Sequence, residues 1–197
     1  MRRIQRGIMA SILGVKVDAT SYAKVVEKCT AWAHAGESRT VSFIGMHSVM
    51  EAYDRPAFRA ELNACDIGTP DGMPIVWLLR AQGHHDASRV YGPDTTLALL
   101  GAAEKAGIPV GFYGGSEIAL AKLVSEVSRR FPDVQIVYQV SPPFRKLSEE
   151  EDEAVVRQMV DSGVRLLFVG LGCPKQEAWV IAHRGRVPAV MLSLIHI

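Results

Sequence analysis

Residues 164–177 have the sequence VRLLFVGLGCPKQE. The first six form an apolar run with the length of one buried strand. Gly170 and Gly172 follow and predict a turn, and Pro174 suits the first turn of a helix, where its missing N–H costs little. A strand that leads through a glycine turn into a helix is the unit from which parallel α/β sheets are built.

The same alternation extends along the rest of the chain. Apolar runs predict further strands at 40–44, 108–113, 134–140 and 188–191. Helical spacing and capping residues predict helices at 20–34, 55–65, 74–82, 94–106 and 174–183, with two more opened by Ser116 and Ser148. Asp94 is expected to cap one of these helices and Gly107 to end it. The predicted fold class is α/β: a Rossmann-like parallel sheet with helices on both faces, in a single domain.

Composition limits the classes of function. The chain has 197 residues, of which 48% are hydrophobic and 22% charged, and this suits one globular domain. A net charge of +1 makes nucleic acid a poor expectation as a partner. Three scattered cysteines without metal-ligand spacing indicate a reducing, cytoplasmic compartment. No apolar run predicts a membrane span, and the basic start at residues 1–6 is interpreted as a solvated terminus rather than a membrane contact.

Ligands of parallel sheets bind in the loops beyond the carboxyl ends of the strands. This rule directs attention to three loops, at 45–48, 114–116 and 170–177. The first carries His47, which is a candidate for a binding pocket.

The other two loops carry glycines before a helix. Gly114 and Gly115 let backbone N–H groups approach a phosphate, or they form only a tight turn with a serine cap. Lys175 and Gln176 follow Gly172 at a helix start and suit a diphosphate or a uracil edge, and the alternative is an ordinary polar helix start. Neither G-x-G-x-x-G nor the P-loop motif is present in the sequence.

Two carboxylates lie at the starts of predicted helices. Asp71 lies in the constrained loop Thr69-Pro70-Asp71-Gly72, where it is either a general base or a cap of local backbone. Asp94 is interpreted first as a helix cap and second as a ligand to sugar hydroxyls. The sequence contains no D-x-D motif, which argues against a carboxylate–metal clamp on a diphosphate. Helix N-termini, Lys or Arg then have to balance such a charge.

Five blocks, in their order and spacing, resemble the WecG/TagA/CpsF family, glycosyltransferase family 26, over about Ile12 to Met191. The blocks are Met46-His47-Ser48-Val49, Thr69-Pro70-Asp71-Gly72, Arg89-Val90-Tyr91-Gly92-Pro93-Asp94, Phe112-Tyr113-Gly114-Gly115 and Val169-Gly170-Leu171-Gly172-Cys173-Pro174-Lys175-Gln176-Glu177. The resemblance implies an inverting, metal-independent transfer without a cofactor. The donor is a UDP-sugar, with N-acetylmannosamine or another hexose, and the acceptor is a polyprenyl-diphosphate-linked saccharide. Teichoic acid and other cell-surface polysaccharides are the implied products.

The resemblance also implies roles for single residues. Asp71 is expected to be the catalytic base. Substrate or nucleotide contacts are expected from His47, Thr69, Asp94, Gly114, Gly115, Gly172, Lys175 and Gln176. The implied location is the inner face of the plasma membrane, with weak peripheral contact, and homo-oligomer formation stays open.

The chain departs from the family pattern at two places. Family members usually carry Asn where this chain has Gly45. The family also continues past its last strand into a Gly-rich turn and a basic segment, which residues 192–197 do not resemble. We therefore expect a transferase domain over 1–191 and a truncated or non-native tail over 192–197.

Two other functions compete with that of a transferase. The first is a non-catalytic partner that enhances another transferase. The second is an NAD-type oxidoreductase, which needs a glycine fingerprint after the first strand that Phe43 to His47 does not supply.

Overall fold

The computed structural model describes residues 9–194, which form eight strands. Two of them make an antiparallel hairpin: β1 (Met9–Ile12) and β2 (Val15–Asp18). The other six are β3 (Arg39–Ile44), β4 (Ile67–Pro70), β5 (Val110–Gly114), β6 (Ile136–Val140), β7 (Leu166–Gly170) and β8 (Val190–Ser193). These six pair in parallel, in the order β4-β3-β8-β7-β5-β6. Every residue of β4, β5 and β8 is buried, as a sheet covered on both faces requires.

Eight helices connect the strands within the described residues. They are α1 (Tyr22–Ala35), α2 (Met46–Asp54), α3 (Pro56–Ala64), α4 (Met73–Ala81), α5 (Gly92–Ala106), α6 (Glu117–Arg130), α7 (Glu149–Ser162) and α8 (Lys175–Ala182). Ser116 caps α6 through Ala119 N–H, Ser148 and Glu151 form a capping box on α7, and Gly107 ends α5 in the left-handed conformation. These three features confirm the predicted helix boundaries.

The helices cover both faces of the sheet. Helices α1, α5 and α6 pack on one face with β3, β5, β7 and β8. Helices α7 and α8 pack on the other face. Helices α2, α3 and α4 enclose a third cluster with the β1–β2 hairpin, which lies beside β4. This arrangement confirms the prediction of an α/β, Rossmann-like sheet with helices on both faces.

Some boundaries differ from the sequence predictions. Asp94 is not the cap of α5, because that helix already begins at Gly92 and Tyr91 is its N-cap. Strand β8 runs to Ser193 instead of ending at Met191, and Leu194 is buried. The basic start at 1–6 and residues 195–197 of the expected tail lie outside the described residues.

Three elements were missed in the sequence. They are the β1–β2 hairpin, helix α2 and strand β4. The hairpin strands have four residues each, too few for a clear alternation. Strand β4 has the sequence IGTP, in which glycine and proline disfavour a strand, and pairing with β3 outweighs that preference.

Candidate functional site

The six parallel strands bring the candidate residues to one edge of the sheet, in two groups. His47, Thr69 and Asp71 lie at the ends of β3 and β4, and Gly114, Gly115, Gly172, Lys175 and Gln176 lie at the ends of β5 and β7. Only β8 separates β3 from β7. The ends of β3 and β7 are therefore on the order of 10 Å apart, which is twice the spacing of neighbouring strands, and β4, which leads to Asp71, is on the order of 14 Å from β7.

Asp71 is fixed at the point where β4 leaves the sheet. Its backbone N–H donates to the carbonyl oxygen of Ile44 at 3.0 Å, which continues the pairing of β3 with β4 by one residue. Its side chain is 12% exposed. Gly72 follows with φ 109° and ψ 146°, a conformation open to glycine alone among common residues. The chain thus turns directly after Asp71 and leaves its carboxylate at the rim of the site.

Arg89 lies opposite Asp71, and the sequence predicted no role for it. Its Nη2 is 4.0 Å from Asp71 Oδ1, and its guanidinium lies over the Tyr91 ring at 4.1 Å. The Arg89 side chain is 44% exposed, so it presents a positive charge to solvent beside a carboxylate. A hydrogen bond of 2.9 Å from Val90 N–H to the carbonyl oxygen of Pro70 holds the two loops together.

Thr69 and Asp94 connect to this loop in different ways. Thr69 is fully buried, and its hydroxyl donates to the carbonyl oxygen of Val90 at 3.2 Å. Tyr22 donates its hydroxyl hydrogen to Asp94 Oδ2 at 3.1 Å and accepts from Tyr91 N–H at 3.0 Å. Thr69 therefore fixes the loop before α5 at Val90, and Tyr22 of α1 fixes the start of α5 through Tyr91 and Asp94. His47 lies exposed on the first turn of α2.

Gly114 and Gly115 are where β5 comes closest to β7. A Cβ on Gly114 would lie 2.2 Å from the Gly170 carbonyl oxygen, and its φ is 129°. The N–H of Gly115 donates to that same carbonyl at 3.0 Å. Both glycines are thus engaged in strand packing, and the Gly115 N–H is already hydrogen-bonded within the protein.

The turn from β7 into α8 is closed by Gln176. Its Oε1 accepts from Gly172 N–H at 3.0 Å, and its backbone N–H donates to the Gly172 carbonyl at 3.0 Å. Gln176 is fully buried, and its Nε2 donates to Glu177 Oε1 at 3.2 Å. Lys175, in contrast, is exposed at the helix start. Gln176 shapes this turn, whereas Lys175 can reach a ligand.

Glu177 is a buried carboxyl group beneath the turn. Burial raises its pKa, and the nearby polar groups of Gln176, Cys173 and Ser193 offset only part of that effect. Cys173 packs against the cluster that contains Ile44, and burial raises the pKa of its thiol to about 11. Cys173 therefore acts as a packing residue.

Two hollows flank the glycine turns. The larger, of about 730 Å³, lies between the turns, the 142–149 loop, α7 and α8, and Gly115, Lys175 and Trp179 line it. The smaller, of about 120 Å³, lies on the α6 side and includes Gly114, Gly115 and Gly172. The sequence pointed to no hollow beside residues 142–148, so the larger one was missed.

Aromatic rings form the inner wall of the larger hollow. The Trp179 ring stacks on His183 at 3.8 Å between centroids and lies 4.8 Å from Tyr113. Burial raises the pKa of Tyr113 to about 12, which keeps its hydroxyl neutral. Asp152 lies at the rim and accepts hydrogen bonds from Arg186 at 2.7 Å and from His183 at 2.9 Å.

Residues 9–194 contain neither a cluster of metal ligands nor a membrane-spanning helix. No group of three or more His, Cys, Asp or Glu side chains is placed to hold a metal ion in that part of the chain. No helix there is long and apolar enough to cross a bilayer.

Comparison with known proteins gives two findings. A family model described as "Glycosyl transferase WecG/TagA/CpsF family" matches residues 10–194. An N-acetylglucosaminyldiphosphoundecaprenol N-acetyl-beta-D-mannosaminyltransferase of Bacillus spizizenii is 30% identical over 145 residues, which are 73% of this chain and 54% of that protein. The match thus covers about half the length of this curated relative.

Proposed function

Because this chain belongs to the glycosyl transferase WecG/TagA/CpsF family, we propose that it transfers a sugar from a UDP-sugar to a polyprenyl-diphosphate-linked saccharide. The name of the Bacillus relative favours N-acetylmannosamine as the sugar and a polyprenyl-diphosphate-linked N-acetylglucosamine as the acceptor. The main structural support is Asp71, a largely shielded carboxylate held at the carboxyl edge of the sheet beside Arg89. In this proposal the reaction takes place at the inner face of the plasma membrane, because the acceptor is lipid-linked.

In the proposed reaction, Asp71 takes the proton of the attacking acceptor hydroxyl. The hydroxyl oxygen forms a bond to the anomeric carbon of the donor sugar. The bond from that carbon to the β-phosphate oxygen breaks, and UDP leaves with the electron pair. The single displacement inverts the anomeric configuration.

Cationic side chains balance the diphosphate charge in this proposal. Arg89 presents its guanidinium next to Asp71, and Lys175 lies exposed at the start of α8. Helix N-termini and fixed cations stabilise anions without a metal ion. The lack of a D-x-D motif in the sequence supports a metal-independent reaction.

A second candidate function is that of a non-catalytic partner of another transferase, and Gly45 favours it. Gly45 lies against the site, because a Cβ there would be 3.3 Å from the Asp71 carbonyl oxygen. The amide side chain that the family usually carries next to the base is therefore lost.

The test is turnover of UDP-N-acetylmannosamine with a short-chain polyprenyl diphosphate N-acetylglucosamine, together with a thermal-shift titration with UDP. We expect Asp71→Asn to lower turnover about 10²–10⁴-fold while UDP binding is kept. Asp161→Asn is the matched control, since it makes the same change at an exposed position on α7. Near-wild-type turnover of Asp71→Asn would refute the role of the base. Saturable UDP binding without any turnover of the wild type would favour the non-catalytic partner.

A further inference from the structure

Helix α4 has an apolar face that points to solvent. Eight of its nine residues are apolar, and Arg80 is the exception. Ile75, Val76 and Leu79 form the buried side. The exposed side carries Arg80 and, next to it, five apolar residues that we call the α4 outer face: Met73, Pro74, Trp77, Leu78 and Ala81.

The α4 outer face is continuous, and three of its large side chains are well exposed. Its five residues fall within an arc of roughly 140° at 3.6 residues per turn. Met73 is 40% exposed, Trp77 60% and Leu78 40%. A helix in a globular domain normally places polar residues on its solvent side, so an apolar solvent side indicates that something else covers it.

We propose that the α4 outer face docks on the surface of an anionic lipid bilayer, with the Trp77 ring in the interfacial region. This inference rests on the proposed function, because the acceptor of that reaction has a hydrocarbon tail. Helix α4 begins two residues after Asp71. A bilayer in contact with α4 therefore brings the acceptor's diphosphate, which lies at the lipid headgroups, to the level of Asp71.

Length and charge agree with a helix that lies on a bilayer. Nine residues span roughly 13.5 Å, which is less than half the hydrocarbon thickness of about 30 Å. Trp is enriched at the boundary between lipid and water. From Gly72 to Pro93 the sequence has Arg80 and Arg89 against the single acidic residue Asp86, and this balance favours anionic headgroups.

A second copy of the chain is a less suitable occupant. A partner protein packed on the α4 outer face would stand beside Asp71, on the side from which a lipid-linked acceptor has to approach. Lipid in the same place delivers the acceptor.

The test is co-sedimentation of the full chain with vesicles of phosphatidylcholine containing phosphatidylglycerol. We expect the double variant Trp77→Gln/Leu78→Gln to lower the vesicle partition coefficient by about tenfold or more, because two large apolar side chains no longer leave water. Val160→Gln is the matched control. Val160 is 43% exposed on α7, which packs against β6, and β6 and β4 form opposite edges of the sheet. We expect it to bind vesicles as the wild type does.

Tryptophan fluorescence gives a second reading in the same samples. Two further tryptophans contribute to the signal: Trp32, which is buried, and Trp179, which is partly buried on α8. The quenching by brominated acyl chains that Trp77→Phe abolishes is therefore the component that reports on Trp77. Equal vesicle binding by the wild type and the double variant would overturn the proposal. A wild-type dimer that the double variant dissociates, with no vesicle binding, would overturn it in favour of a second copy.

The test of α4 docking and the test of the proposed function can fail independently of each other. UDP binding and Asp71-dependent turnover with a short-chain acceptor need no bilayer. If they are present while vesicle binding is absent, only the docking of α4 is refuted. If vesicle binding by α4 is present while UDP binding and turnover are absent, the proposed function is refuted.

Discussion

Gly114→Ala tests whether the close approach of β5 to β7 sets the geometry of the site. The two strands pair with Gly114 opposite Gly170. An added Cβ would lie 2.2 Å from the Gly170 carbonyl oxygen, which is backbone and cannot rotate away. One strand has to move by about 1 Å to reach ordinary contact, since atoms at the optimum are about 3.5 Å apart and part of that gap can be tolerated.

The expected loss of stability has two parts. A φ of 129° costs an L-residue on the order of 1–2 kcal/mol. Overpacking of a well-packed interior typically adds about 1–3 kcal/mol. The free energy of unfolding should therefore fall by about 2–5 kcal/mol, a large part of the roughly 5–15 kcal/mol that a domain has. With a urea m-value near 2 kcal/mol/M, the midpoint should fall by about 1–2.5 M.

Gly163→Ala separates the two parts. Gly163 ends α7 with φ 73°, and a Cβ there meets nothing within 4 Å. Urea unfolding followed by far-UV circular dichroism should show a loss of only about 1–2 kcal/mol for this variant. If Gly114→Ala is no less stable than Gly163→Ala, the close approach does not govern this turn. Gly114 would then be available for the nucleotide contact predicted from the sequence.

Four further variants test the site. Lys175→Ala should weaken UDP binding about tenfold or more by calorimetry, since a charge-assisted hydrogen bond contributes about 1.5–3 kcal/mol, and unchanged affinity would remove it from the site. Gly45→Asn should raise turnover severalfold if an amide beside Asp71 serves the reaction, and unchanged turnover would show that it does not. Burial alone would raise the pKa of Asp152, but Arg186 and His183 lower it. Asp152→Asn should therefore lower the melting temperature at neutral pH. The difference in melting temperature between variant and wild type should vanish as the pH falls below about 3.9, because the wild type then loses the stability contributed by the ionised carboxylate. Burial raises the pKa of Glu177, so the folded state favours the protonated carboxyl group. The stability that this preference contributes is lost as the pH rises above about 4.3. As the pH rises, the melting temperature of the wild type should therefore fall relative to that of Glu177→Gln. Melting temperatures that change in parallel with pH would contradict a protonated, buried Glu177.

The parallel sheet could be predicted because its central strands carry their own signal. All residues of β5 and β8 are buried, and such strands appear in the sequence as uninterrupted apolar runs. Serine caps and left-handed glycines are local as well, which is why the starts of α6 and α7 and the end of α5 were found. Helix α2 lacks such a signal, since its N-cap is Gly45 with no side-chain cap.

The candidate site was predicted only in part because its geometry depends on distant residues. Asp71 stood out through its constrained loop, but Arg89 looks like any exposed loop arginine in the sequence. Its place beside Asp71 follows from the hydrogen bond between Val90 and Pro70, which joins two loops far apart in the chain. The larger hollow likewise depends on how the 142–149 loop folds over α8.

The blocks that point to the family contain two kinds of residue, which burial separates. Thr69 and Gln176 are fully buried, and their polar atoms bond to the backbone of the loops that shape the site. Lys175 is exposed and Arg89 nearly half exposed, and neither is needed to close a loop. A recurring sequence block therefore reflects two physical demands, the shape of a turn and the charge at its rim. In the proposed reaction the chemistry falls to the smaller group at the rim, with Asp71 as the base and the two cations against the diphosphate.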